Sequence, residues 1–150
     1  MKQTDVIPTD AAMRDLGVRL AGVLAAGDLV IMSGPLGAGK TTLTQGLAEG
    51  MKVRGPITSP TFVISRIHPP LAGGPSLVHV DAYRLSGADE LDDIDLDMTL
   101  PDAVTVVEWG EGVAEGLSDE RLEVAIDRRP DDTREVRLTG IGARWDGVRL

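Results

Sequence analysis

The stretch Leu29-Val30-Ile31-Met32-Ser33-Gly34-Pro35-Leu36-Gly37-Ala38-Gly39-Lys40-Thr41-Thr42 decides the fold. Leu29 to Met32 is a short apolar run between turn residues, which predicts a buried strand. Gly34, Gly39, Lys40 and Thr41 then fill the pattern G-x-x-x-x-G-K-[ST]. From Thr41 to about Met51 a helix is predicted, with Leu43 and Leu47 on one face. Strand, glycine-rich loop and helix in this order are the surroundings that a phosphate-binding loop requires. The glycines let successive N–H groups turn inward into a nest for oxygen anions, while Gly37 and Ala38 keep side chains out of it. The start of the helix adds partial positive charge. Lys40 is expected to reach the β- and γ-phosphates of a nucleotide, and the Thr41 hydroxyl to ligate Mg²⁺. Both side chains are expected to meet the ligand, with little core packing of their own. The chain has twelve Arg but three Lys (Lys2, Lys40 and Lys52), and one of the three stands where a compact ammonium suits the nest better than a guanidinium fork.

Working outward, two further apolar runs end in acids: Leu77-Val78-His79-Val80-Asp81 and Val104-Thr105-Val106-Val107-Glu108. Ligands of open α/β sheets bind at the carboxyl ends of the strands, so Asp81 and Glu108 are candidates to hold Mg²⁺ or act on water. His79 is expected in a strand close to the site, and His68 in a loop. Before the first strand, Thr9-Asp10 can cap a helix from Ala11 to about Ala26, broken by Gly27-Asp28. Thr61 to Ile67 alternates as a strand does, and Pro69 to Pro75 is turn-rich. Ala88 to about Met98 is acidic and reads as a helix. Leu122 to Ile126, Val136 to Leu138 and Val148 to Leu150 read as short antiparallel strands. The expected fold is one α/β domain of P-loop type: a mainly parallel sheet flanked by helices, with an antiparallel C-terminal extension.

At 150 residues, 42% hydrophobic and 26% charged, the chain fits one soluble domain with an ordinary core. No cysteine is present, which excludes disulfides and thiolate metal sites and fits a reducing compartment. Neither a signal-like N-terminus nor an eighteen-residue apolar run occurs, so a cytoplasmic location is expected, without membrane association. A net charge of -9 disfavours direct binding to nucleic acid. Asp93, Asp95 and Asp97 mimic the start of a calcium loop, but Met98 replaces its glycine and Val104 its last glutamate. The acids from Asp89 to Asp97 read as a solvated helix face or as a docking surface for a basic partner.

The order of these motifs resembles a known family. Gly37-Ala38-Gly39-Lys40-Thr41-Thr42, Ser59-Pro60-Thr61-Phe62, His79-Val80-Asp81-Ala82-Tyr83-Arg84-Leu85 and Val107-Glu108-Trp109 look like the bacterial tRNA threonylcarbamoyladenosine biosynthesis ATPases, the TsaE (formerly YjeE-type) family. The resemblance implies a single-domain ATPase without a lid that binds ATP and Mg²⁺. It also implies two partners: a sugar-kinase-like threonylcarbamoyl-transferase subunit and its paralogue, which modify N6 of adenosine 37 in tRNAs reading ANN codons. The ATPase would not perform the transfer; its cycle would reset the complex, and it would meet tRNA only indirectly through that complex. Thr41 and Glu108 would be magnesium ligands and Asp81 a catalytic or switch carboxylate. Ser59-Pro60-Thr61 would approach the γ-phosphate, making Thr61 a nucleotide contact, and Trp109 would lie beside the nucleotide or the partner. Beyond Trp109 the resemblance holds in outline alone.

Two other classes compete. A GTP-binding switch normally carries [NT]-K-x-D, and none of the three lysines lies in that pattern. A P-loop kinase for a nucleotide or other small molecule would need an acceptor pocket and commonly an Arg-bearing lid. The segment from Ile67 to Ser76 has no Arg beyond the preceding Arg66. No arginine is clearly placed as a finger in cis; Arg66 and Arg84 adjoin the expected strands of the site.

Overall fold

The computed structural model describes residues 1–35, 37–55, 57, 65–82 and 96–150, with the backbone alone of Asp97 and Met98. Thr61, the segment around it, Arg84 and most of the acidic stretch lie outside the described residues.

The glycine-rich loop links β2 (Leu29–Ser33) to α2 (Lys40–Met51), as its neighbours predict. β2 is buried along four of its five residues because strands flank it on both sides. Its parallel neighbours are β5 (Ala103–Glu108) and β6 (Arg121–Arg128), and β4 (Ser76–Asp81) continues the parallel set beside β5. β3 (Ser65–His68), β7 (Arg134–Ile141) and β1 (Lys2–Ile7) pair antiparallel, giving the order β1-β7-β6-β2-β5-β4-β3. The parallel ladders therefore occupy the centre, and antiparallel strands extend both edges instead of the single edge expected. β1 had no strand signal in the sequence. The region expected to be a strand from Val148 to Leu150 is coil whose apolar side chains pack on the core.

Both long helices pack on one face. α1 (Asp10–Ala21) starts at Thr9, whose hydroxyl accepts the Ala12 N–H at 3.1 Å, and carries Asp10 in its first turn. It ends at Gly22, five residues before the expected break. Gly17 and Gly46 bring α1 and α2 into backbone contact: a Cβ at Gly46 would lie 2.0 Å from the Arg14 carbonyl oxygen. The helix-side core joins Leu16, Leu20, Leu43 and Leu47 to Val30, Met32, Val104 and Val106 of the sheet, with Trp145 buried at its margin. On the opposite face, Leu29, Ile31, Val78 and Val107 are covered by Ala114 and by α3 (Leu96–Thr99), through its Leu96.

Candidate functional site

The loop's conformation follows from its glycines: Gly34, Gly37 and Gly39 take φ of 143°, 75° and 111°, a region L side chains rarely adopt. Gly39 is the N-cap of α2 and supplies no side-chain bond, so the first N–H groups of the helix keep their hydrogen-bonding capacity for a ligand. Residues 37–42, with Glu108 and Trp109, line one cavity of about 350 Å³, so the motif residues and two of the distant candidates do converge. Gly34 contributes its carbonyl to the site.

Asp81 and Glu108 are directly paired in the β4–β5 ladder, at the carboxyl ends of both strands. Glu108 is buried and accepts a hydrogen bond from His79 Nε2, which fixes one carboxylate oxygen. His79 is thus a buried neighbour of the candidate metal ligand, in the strand expected for it. His68 lies in β3 instead of a loop, with Nδ1 2.8 Å from the Arg54 carbonyl oxygen.

Lys40 departs from the expectation of a side chain with little core packing. It is 5% exposed, and Nζ donates to the carbonyls of Gly34 at 2.6 Å and Pro35 at 3.0 Å. Its ammonium also sits 4.0 Å from the centroid of the Trp109 ring. Trp109 holds φ at 62° while its N–H donates to Met32 at 2.9 Å, anchoring the residue after Glu108 to the end of β2. Burial lowers the Lys40 pKa from the ordinary lysine range, opposed by the negative charges of Glu108 and Asp81. A cation so placed is poised to exchange backbone carbonyls for anionic oxygens.

Two wall residues carried no motif. Asp10, at the start of α1, and Arg134, at the start of β7, both line the cavity. They also line a contiguous space of about 180 Å³ with Thr9, Met13, Ala38 and Gly39. Arg134 reaches the loop across 96 residues of sequence, donating from Nε to the Ala38 carbonyl at 3.1 Å. Strand pairing places it there, and no local sequence signal could have done so. Arg66 is exposed on β3 and does not line the cavity.

A glycine loop between a central parallel strand and an uncapped helix, with carboxylates at the ends of adjacent strands, defines an α/β protein of P-loop type. Residues 7–136 match the family described as threonylcarbamoyl adenosine biosynthesis protein TsaE, and the chain belongs to that family. It is 63% identical over 138 residues to the Streptomyces coelicolor tRNA threonylcarbamoyladenosine biosynthesis protein TsaE, covering 89% of this chain and 93% of the relative. The Mycobacterium tuberculosis protein of the same description is 54% identical over 139 residues, covering 87% and 83%. Among solved structures, Bacillus subtilis YdiB superposes with a TM-score of 0.78 at 31% identity, covering 97% of this chain and 90% of that one. The family places the chain in tRNA threonylcarbamoyladenosine biosynthesis. Among the described residues, no helix is long and apolar enough to cross a membrane.

Proposed function

We propose that this chain is the ATPase of that biosynthesis, binding and hydrolysing Mg·ATP to cycle a threonylcarbamoyl-transferase complex in the cytoplasm. The observation that carries the reading is the convergence of the uncapped α2 N-terminus, Lys40, Thr41 and Glu108 on one cavity, with Asp81 paired beside Glu108. Gly34, Gly37, Ala38 and Gly39 shape the nest, Lys40 takes the β- and γ-phosphates, and Thr42 continues the helix N-terminus beyond the loop. Thr41 and Glu108 would hold magnesium, a donor set of one hydroxyl and one carboxylate that suits an ion sharing its remaining positions with phosphates and water. Bound there, the ion would neutralise charge developing on the phosphate oxygens.

The chain's own residues do the rest. His79 holds the Glu108 carboxylate in one orientation. Asp81, paired with Glu108 in the ladder, is assigned to the attacking water or to the switch. Trp109 packs over Lys40 and lies at the cavity wall, where it meets the nucleotide or a partner. Thr61 is assigned to the γ-phosphate by family pattern. The partners are the sugar-kinase-like subunit and its paralogue, with tRNA reached through them.

Isolated P-loop sites hydrolyse slowly until the charge-stabilising shell is complete. The test is ADP and phosphate release by the chain alone and with the two candidate subunits, with and without tRNA. Slow release that rises on adding the partners supports the proposal. Full activity alone removes the partner dependence, and phosphate delivered to a small acceptor instead of water would make the chain a kinase.

A further inference from the structure

Arg134 is the first residue of β7, paired with Ile7 of β1 on one side and Arg128 of β6 on the other. Its guanidinium stands against the glycine loop, at the wall of the cavity. Nε donates to the Ala38 carbonyl at 3.1 Å and Nη2 to the Gly37 carbonyl at 3.3 Å. The third edge is held too: Nη1 donates to the Asp132 backbone carbonyl at 2.5 Å. Asp132, at φ 70° in the β6–β7 turn, is itself gripped by Arg128, whose Nε and Nη2 donate to Oδ1 at 3.0 and 2.6 Å. The hairpin therefore presents a cation to two consecutive carbonyls of the loop.

A nest that turns its N–H groups toward an anion leaves carbonyls facing the other way. Those carbonyls need donors, and the converging N–H dipoles repel one another while no anion is bound. A guanidinium fork on the Gly37 and Ala38 carbonyls meets both needs. It fixes the two peptide planes and polarises them, strengthening the Ala38 N–H bond to the Pro35 carbonyl, at 3.1 Å within the loop, and the donor strength of the Gly39 N–H toward an anion. Arg134 also lines both the main cavity and the smaller space beside it, so its charge acts on an anion seated in the loop.

We infer that Arg134 is a positioning residue for the nucleotide, holding the glycine loop in its anion-binding shape through two of its carbonyls. The inference rests on the proposed ATP site and adds to it a residue outside every sequence motif. Because the loop serves the phosphates common to ADP and ATP, Arg134 supports both nucleotides alike. This distinguishes it from a finger, whose effect is confined to the transition state.

The test measures Kd for ADP and for Mg·ATP by calorimetry in the full chain and in Arg134→Ala, Arg134→Lys and Arg128→Ala. Arg134→Ala should weaken both nucleotides by the same factor, about tenfold. Arg134→Lys should recover part of that loss, since an ammonium can serve one carbonyl but cannot fork onto two. Millimolar guanidinium added to Arg134→Ala should also restore part of the affinity, a response that a merely loosened hairpin would not give. Arg128→Ala loosens the Asp132 turn without removing a donor from the loop carbonyls, and should cost both nucleotides clearly less than Arg134→Ala does. Unchanged affinity in Arg134→Ala, or an equal loss in Arg128→Ala, overturns the role of Arg134 while the site stands. A parent chain that binds neither nucleotide overturns both.

Discussion

Replacing Lys40 by Met removes one charge and nearly preserves the volume, and the structure sets what should follow. In the empty loop the ammonium has two backbone acceptors, at 2.6 and 3.0 Å, and the Trp109 ring at 4.0 Å. These gains are opposed by desolvation, the largest cause of its lowered pKa. Met forfeits both together, so the empty protein should change in stability by no more than about 1 kcal/mol, or about 2–4 °C in Tm for a domain of this size. Nucleotide binding should lose more. On binding, the ammonium trades neutral carbonyls for charged phosphate oxygens, and a hydrogen bond to a charged group contributes about 1.5–3 kcal/mol against about 1 for a neutral one. With two such bonds exchanged, the net loss is about 2 kcal/mol, or about thirtyfold in Kd. Calorimetric titration with Mg·ATP, beside thermal denaturation, reads both quantities. A Kd within about threefold of the parent chain, at unchanged Tm, would refute the phosphate contact. A large fall in Tm with normal affinity would show that Lys40 serves the fold instead.

Glu108→Gln should raise the magnesium concentration needed for tight ATP binding, whereas Asp81→Ala should cut turnover by about a hundredfold with nucleotide affinity retained. Titration at several magnesium concentrations beside turnover separates them, and identical losses would mean that the two acids share one role. Gly46→Ala places a methyl group 2.0 Å from the Arg14 carbonyl oxygen; the strain, about 1–3 kcal/mol, outweighs the helix-propensity gain of at most about 1. Its Tm should fall by several degrees (about 2–4 °C per kcal/mol), and an unchanged melt would show that the helices separate freely. His68 has its pKa lowered from 6.5, chiefly by burial. The unfolded chain therefore takes a proton that the folded chain resists, so stability is full above pH 6.5 and declines as pH falls toward the lowered folded value. Urea denaturation across that range should show the decline in the parent chain and less of it in His68→Gln; parallel curves would assign it to another group.

The sequence was legible wherever local pattern and environment coincide. Strands β2, β4 and β5 have partners on both sides and near-continuous burial, so each shows as a mainly apolar run, broken only by buried His79 in β4 and Thr105 in β5. The glycine loop was legible because its chemistry is contiguous, and Asp81 and Glu108 because each ends such a run. Edge strand β1 was silent for the opposite reason: of Lys2–Ile7 only Ile7 is buried, and the strand exists because the β7 backbone offers it a ladder. That same pairing takes the free edge of β7, leaving Val148 and Leu150 to pack without joining the sheet. The end of α1 shows a tertiary constraint overriding a local one. Val23 and Leu24 continue the helical spacing, yet Arg144 donates to the Val23 carbonyl at 2.6 Å and to Asp28, while Asp28 accepts the Ala25 N–H at 2.7 Å. A contact from more than a hundred residues away thus holds the chain in a turn where periodicity asks for helix. The Arg134 wall of the candidate site belongs to this second category. Arg134 reaches the loop because β7 lies between β1 and β6, two strands away from β2, and its role follows from sheet order. A strand–loop–helix motif therefore specifies the loop of an anion site, while the cation that braces it must be read from topology.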